Sequence, residues 1–210
     1  MGSRRRDLMD RYIITIARGF GSGGKTIGKM LSEALGIPYY DKDLIKLASE
    51  ESGINEALFG QSDEKIRGGI FNRPRVYSGE LASPEGKSFV SQENLFSYQA
   101  EVIKELAGKG SCIIIGRCAD HILRDHENVI KTFIWADKPT CIKNAKTVCG
   151  LDEREAEKQI EKIDRERSAY YKAHTGRDWD DVRNYDLCLD TSRLSFEKCV
   201  EIIKHYVDVL

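Results

Sequence analysis

The stretch Tyr12-Ile13-Ile14-Thr15-Ile16-Ala17, followed by Gly19-Phe20-Gly21-Ser22-Gly23-Gly24-Lys25-Thr26, decides how this chain is read. An apolar run enters a glycine-rich turn, and a helical pattern of Ile27, Leu31, Ala34 and Leu35 leaves it. That is G-x-x-x-x-G-K-[ST] in the context that gives it meaning: strand, turn, helix. The glycines let successive N–H groups turn inward and surround a phosphate. The helix that follows adds its free amides and the positive end of its dipole. Gly19, Phe20, Gly21, Ser22, Gly23, Gly24, Lys25, Thr26 and Ile27 are therefore the expected phosphate-binding set. Lys25 is placed to reach β- and γ-phosphates, and the Thr26 hydroxyl to meet magnesium.

Outward from the loop, strands and helices alternate. Ile37–Tyr40 reads as a second strand ending at Asp41-Lys42-Asp43, where open parallel sheets hold their ligands. Asp41 is read either as a substrate ligand or as a solvated acid. Asp43 reads first as the N-cap of a helix over Leu44–Glu51 and second as a substrate ligand. From Gly60 to Lys87 no period persists, and Arg67, Arg73 and Arg75 interleave with Gly, Ser, Pro and Asn. A stretch this long is a functional insert or a solvated loop, and Arg73 and Arg75 suit an acceptor's phosphate in the first case.

Ser91 caps a helix carrying Leu95, Tyr98, Val102 and Leu106. Cys112-Ile113-Ile114-Ile115 is a four-residue apolar run suited to a strand buried on both faces. It runs straight into Gly116-Arg117, and an Arg just past a buried strand has no packing reason to be there. Arg117 is accordingly a phosphate-contact candidate. Val129–Ala136 reads as a strand, Asp137-Lys138-Pro139 as a helix start, and Asp152-x-x-Glu155 as the start of a second helix reaching about Ala173. The basic residues of that helix alternate with acids, the pattern of a solvated face. Tyr185–Leu189 reads as the last strand and Ser195 as the cap of the last helix. Five strands with helices between them imply a parallel sheet covered on both faces.

Composition narrows the class. With 210 residues, 40% hydrophobic and 32% charged, the chain reads as one globular domain. A net charge of −1 offers no global footprint for nucleic acid, and no apolar run approaches membrane-spanning length. Met1–Arg6 does not read as a signal peptide. Six cysteines without C-x-x-C spacing suit buried thiols in a reducing cytoplasm. Cys118 and His121 form only a lone pair of possible metal ligands.

Several of these stretches together resemble the cytidylate kinase-like family within the nucleoside monophosphate kinases. They are Gly21–Gly28, Ile37–Ile45, Ile114–Asp120, Asp164–Lys172, Thr175–Trp179 and Asn184–Leu187. The resemblance implies a single P-loop kinase domain over residues 1–210, a three-layer α/β/α fold with sheet order 2-3-1-4-5. It also implies an acceptor-binding insert over 53–90 and a helical lid over 151–183. ATP and Mg2+ are the implied cofactors and CMP or dCMP the implied acceptor, with a small-metabolite hydroxyl kinase and a non-catalytic nucleotide sensor as alternatives. Lys25, Arg117, Arg165 and Arg167 become the catalytic set, because a closing lid must bring positive charge to the transferring group. The chain departs from cytidylate kinases at Ile115, where they carry an acid that helps to hold magnesium. Either Asp120 or a water network then takes its place, or the metal is weakly held. It departs again at Lys42, Asp43 and Leu47, where they carry Thr-Gly and an Arg that grip the acceptor.

Overall fold

A computed structural model describes residues 11–64, 76–86 and 88–210. Strand β1 (Ile13–Arg18) is buried along its whole length and lies at the centre of a five-stranded parallel sheet. It pairs with β3 (Cys112–Ile115) on one side, Ile13 opposite Cys112, and with β4 (Val129–Trp135) on the other, Ile13 opposite Val129. Outside them lie β2 (Tyr39–Tyr40) and β5 (Leu187–Asp190), giving the order β2-β3-β1-β4-β5. Strand β2 is short because Pro38 lacks an N–H. Its carbonyl still accepts from Ile113 N–H at 2.8 Å.

The period of two along the strands sends alternate side chains into two cores. Ile13, Cys112 and Ile114 face α2 (Asp43–Ser52), α4 (Gln92–Lys109) and the one-turn α5 (Ala119–Ile122). Ile14, Ile16, Ile113 and Ile115 face α1 (Gly24–Leu35) and α8 (Phe196–Val209). The first core also holds Phe59 from α3 (Glu56–Ser62), a seven-residue helix at the head of the stretch without a period. Seven residues are too few for a helical period to be read, yet Asn55 caps it by accepting from Ala57 N–H.

After β4 come α6 (Lys138–Cys149) and the 23-residue α7 (Glu153–Thr175), which pack on each other. Asp137, Ser195 and Ser91 cap helices as the sequence indicates, and Asp152 with Glu155 forms a full capping box. Asp43 does not cap: Lys42 is the N-cap residue of α2, and Asp43 is the exposed first residue of the helix. The cysteines divide as well. Cys112, Cys118, Cys141 and Cys199 are buried, whereas Cys149 and Cys188 are exposed; all six are free thiols. Among the described residues no helix is long and apolar enough to cross a membrane.

Candidate active site

The phosphate loop leaves β1 and turns onto α1 through Gly21 and Gly23, both in the left-handed region at φ 80° and 83°. Side chains are barred there twice over. A Cβ at Gly21 would lie 2.5 Å from the Cys141 carbonyl oxygen, and one at Gly23 would enter the Phe196 ring. The loop is pinned from outside by Gly19 N–H to Ile134 O (3.0 Å), Asn144 Nδ2–H to Gly21 O (2.7 Å) and Thr191 Oγ1–H to Ser22 O (2.8 Å). Helix α1 begins without a capping side chain, so the first-turn amides of Gly24, Lys25 and Thr26 are available to an anion.

Three of the nine expected loop residues have other duties. The Ile27 N–H is bonded to Gly23 O and its side chain is in the core, while the buried Ser22 hydroxyl donates to Gly19 O. Phe20 N–H is also taken, by the carboxylate of Asp164 on α7 at 2.8 Å.

Facing the loop is a cluster of alternating charge. Lys25 Nζ meets Asp41 Oδ2 at 2.6 Å, and Arg117 reaches Asp41 at 3.4 Å and Asp63 at 2.9 Å. Arg18, the last residue of β1, forks onto Glu64, whose second oxygen also takes Arg167 Nε at 3.4 Å. Arg167 binds the Arg18 carbonyl (3.1 Å) and Asp164 (3.4 Å). The side chain of Arg117 is 1% exposed and that of Arg18 5%. Arg117 and Cys118 both stand in the left-handed region (φ 53° and 56°), an uncommon backbone for such residues, and one that turns Arg117 N–H toward Glu64.

These ion pairs set the protonation states. Burial would raise the Asp41 carboxyl, but Lys25 and Arg117 hold it below its ordinary value. Burial acts to raise Glu64 as well, and Arg18 and Arg167 override it, holding the acid well below the carboxylate range. Asp63 and Asp164 go the other way: burial raises both, with Arg117 and the Phe20 amide respectively opposing it.

The structure therefore brings together Lys25, Asp41, Arg117 and Arg167, and leaves Arg165 and Asp43 outside the cluster. Arg165 is exposed, because on a helix it points well away from the face shared by Asp164 and Arg167 at i, i+3. Asp43 is exposed and makes no ion pair among the described residues. Arg73 and Arg75 lie outside the described residues. The expected metal ligand Asp120 is 5% exposed and accepts from the Tyr171 hydroxyl at 2.6 Å. Burial raises its carboxyl to about 6 against the opposing hydrogen bond from Tyr171. Among the described residues no group of three or more His, Cys, Asp or Glu side chains gathers around it to hold a metal ion. Thr26 is exposed at the loop's end, its hydroxyl open to a metal held mainly by phosphates and water. Ile115 lies in the second core, fully buried.

Arg18, Asp63, Glu64 and Asp164 escaped the reading of the sequence. Arg18 carries the same signal as Arg117, an Arg at the end of a buried strand. Asp164 carried a weaker one, its i, i+3 spacing from Arg167. Asp63 and Glu64 gave none.

The model of the cytidylate kinase-like family matches residues 13–193. The chain belongs to the cytidylate kinase-like family. Membership supports a P-loop kinase of a nucleotide or another small molecule. A cytidylate kinase of Methanopyrus kandleri is 25% identical over 209 residues, 94% of each chain. A solved structure of an uncharacterized protein from Eubacterium ventriosum is 28% identical, with TM-score 0.69 over 94% of this chain and 99% of its own. The shikimate kinase of Bacteroides thetaiotaomicron shares the fold at 13% identity, with TM-score 0.54 over 94% of this chain and 98% of its own.

Proposed function

We propose that this protein transfers the γ-phosphoryl group of ATP to a nucleoside monophosphate, CMP or dCMP by its family resemblance. The observation that carries this reading is the convergence of Lys25, Arg117 and Arg167 on the mouth of an uncapped, glycine-turned helix start. Phosphoryl transfer asks a protein for positioning and charge stabilisation and for little covalent chemistry. The loop amides and Lys25 would hold the donor phosphates. Arg117 and Arg167 would stabilise charge on the transferring group, and Asp41, between Lys25 and Arg117, would orient both cations. Magnesium, when bound, neutralises charge on the phosphates; Thr26 is the residue we assign to it, while Asp120 is occupied by the Tyr171 hydroxyl.

For the acceptor, segment 53–90 supplies one wall of a cavity of about 530 Å3, a size usual for small-molecule sites. Tyr77, Leu81, Glu93, Ser97 and His174 are among its lining residues. Tyr170 packs on Phe96 and His174 of this cavity and also lines the arginine cluster, so the two spaces share a wall. In this reading 53–90 is the acceptor-binding insert and 151–183 the lid, whose Asp164 already touches the loop at Phe20. Free thiols suit a cytoplasmic location. The test is ADP release with ATP and magnesium against CMP, dCMP, other nucleoside monophosphates and small alcohols. Turnover with CMP or dCMP supports the reading; turnover with alcohols alone replaces it by a small-metabolite kinase, and none with any acceptor leaves a nucleotide binder.

A further inference from the structure

The side chains assigned to phosphate each already hold a carboxylate of this chain. Lys25 holds Asp41, Arg117 holds Asp41 and Asp63, and Arg18 and Arg167 share Glu64. The Phe20 amide holds Asp164. Four cations (Arg18, Lys25, Arg117, Arg167) thus face four acids (Asp41, Asp63, Glu64, Asp164), and the cluster is neutral as it stands.

Among these acids Glu64 has the surroundings of a bound oxyanion. One oxygen accepts from Arg18 Nη1 and from the Arg117 backbone amide at 3.3 Å. The other accepts from Arg18 Nη2 at 2.9 Å and Arg167 Nε at 3.4 Å. A guanidinium fork, a second guanidinium and a backbone amide in a left-handed turn are what phosphoryl recognition uses. The space around them is full, with a cavity of about 10 Å3 remaining. The fit is nevertheless incomplete. The buried Arg18 Nε, Arg117 Nε and Asp63 Oδ1 find no hydrogen-bond partner among the described residues. Glu64 itself sits at φ 52°, a backbone conformation unfavourable for a non-glycine residue, just beyond the end of α3. Gly116 belongs to the same arrangement, since a Cβ there would collide with the Arg18–Glu64 pair.

We propose that Arg18, Arg167 and the Arg117 amide form a phosphoryl-binding subsite, and that Glu64 is its resident occupant, displaced when phosphoryl oxygens arrive. The nature of the arriving group rests on the kinase reading, while the subsite itself does not. Displacement also moves Asp63, the neighbour of Glu64, and so frees Arg117. Binding is thereby coupled to movement at the end of α3, and in the resting chain the arginines are closed to stray anions.

Calorimetric titration of inorganic tripolyphosphate, ATP and CMP into wild type and Glu64→Gln tests this. An occupant that leaves the site open about one-tenth of the time weakens apparent affinity about tenfold, so Glu64→Gln is expected to tighten binding by about that factor. A gain confined to CMP assigns the subsite to the acceptor's phosphate, and a gain confined to ATP or tripolyphosphate to the donor's; either supports it. Adding Arg18→Met must abolish the gain, and a gain that survives it overturns the proposal. Unchanged or weaker binding of all three anions to folded Glu64→Gln also overturns it. Should Glu64→Gln be folded but destabilised, tripolyphosphate must raise its Tm by more than it raises that of wild type, and failure to do so overturns the subsite. No turnover enters these readouts, so a failure of the kinase reading is seen separately, as absence of phosphoryl transfer to any acceptor.

Discussion

The two halves of the candidate site are built in opposite ways. The phosphate loop takes its anion-binding power from backbone amides within eight consecutive residues, and those of Gly24, Lys25 and Thr26 are left open without a capping side chain. The opposing cluster is made of side chains from residues 18, 41, 63, 64, 117, 164 and 167, each paired before any substrate arrives. The loop is preorganised and open; the cluster is preorganised and occupied. Backbone donors need no counter-charge, because their partial charges are tolerated at a helix start. Buried guanidinium groups do need one, because an unpaired buried charge is heavily penalised. The acids are the chain's answer to its own arginines, and they make the cluster the half where binding must rearrange something.

The largest expected effect separates the halves by function. Lys25→Ala should lower turnover by about 10³-fold or more while leaving Tm nearly unchanged, because the Lys25 side chain is 44% exposed and among the described residues is paired only to Asp41. A variant that keeps phosphotransfer would break the account of the loop. Arg117→Ala should instead unfold more easily, by about 3–5 kcal/mol in urea denaturation, since it strands Asp63 and leaves Asp41 with Lys25 alone. A loss below ~1 kcal/mol would mean the cluster behaves like a surface network.

A third expectation concerns pH. The carboxyl of Asp120 is raised to about 6 in the native chain from an ordinary 3.8. Between those values the native state keeps a proton that the unfolded chain has released, so the contribution of Asp120 to stability falls as pH rises through the window. The difference amounts to at most ~3 kcal/mol above pH 6. Asp120→Asn keeps an acceptor for Tyr171, so its stability relative to wild type should rise from pH 4 to 6. A variant that is no more stable at pH 7 and loses magnesium dependence would return Asp120 to the metal. The smallest effect is expected at Arg165. Arg165→Ala should stay within ~0.5 kcal/mol of wild type and retain turnover, whereas loss of turnover equal to that of Arg167→Ala would mean that α7 rotates in use.

The fold was legible because its signals are local. An apolar run before the glycines, Cys112–Ile115, and caps at Ser91, Asp137, Asp152 and Ser195 each depend on a few neighbouring residues. The sheet order follows from the family resemblance and is the one observed. The site was legible on its loop side, at Asp41 past the second strand and at Arg117, where a charge stands out against a buried strand; Arg167 came only with the family resemblance. Arg18 carries the same signal as Arg117. Glu64 could not be found this way: its partners are 46, 53 and 103 residues distant, and no period frames it. Arg165 and Arg167 looked equivalent in sequence, and only the helix's rotation tells them apart.

The most direct test of the central claim is ADP release by wild type and Lys25→Ala with ATP, magnesium and either CMP or dCMP. Acceptor-dependent release by wild type that is lost in a folded Lys25→Ala is the expected result. ATP bound by wild type with no phosphoryl transfer to any acceptor would contradict it.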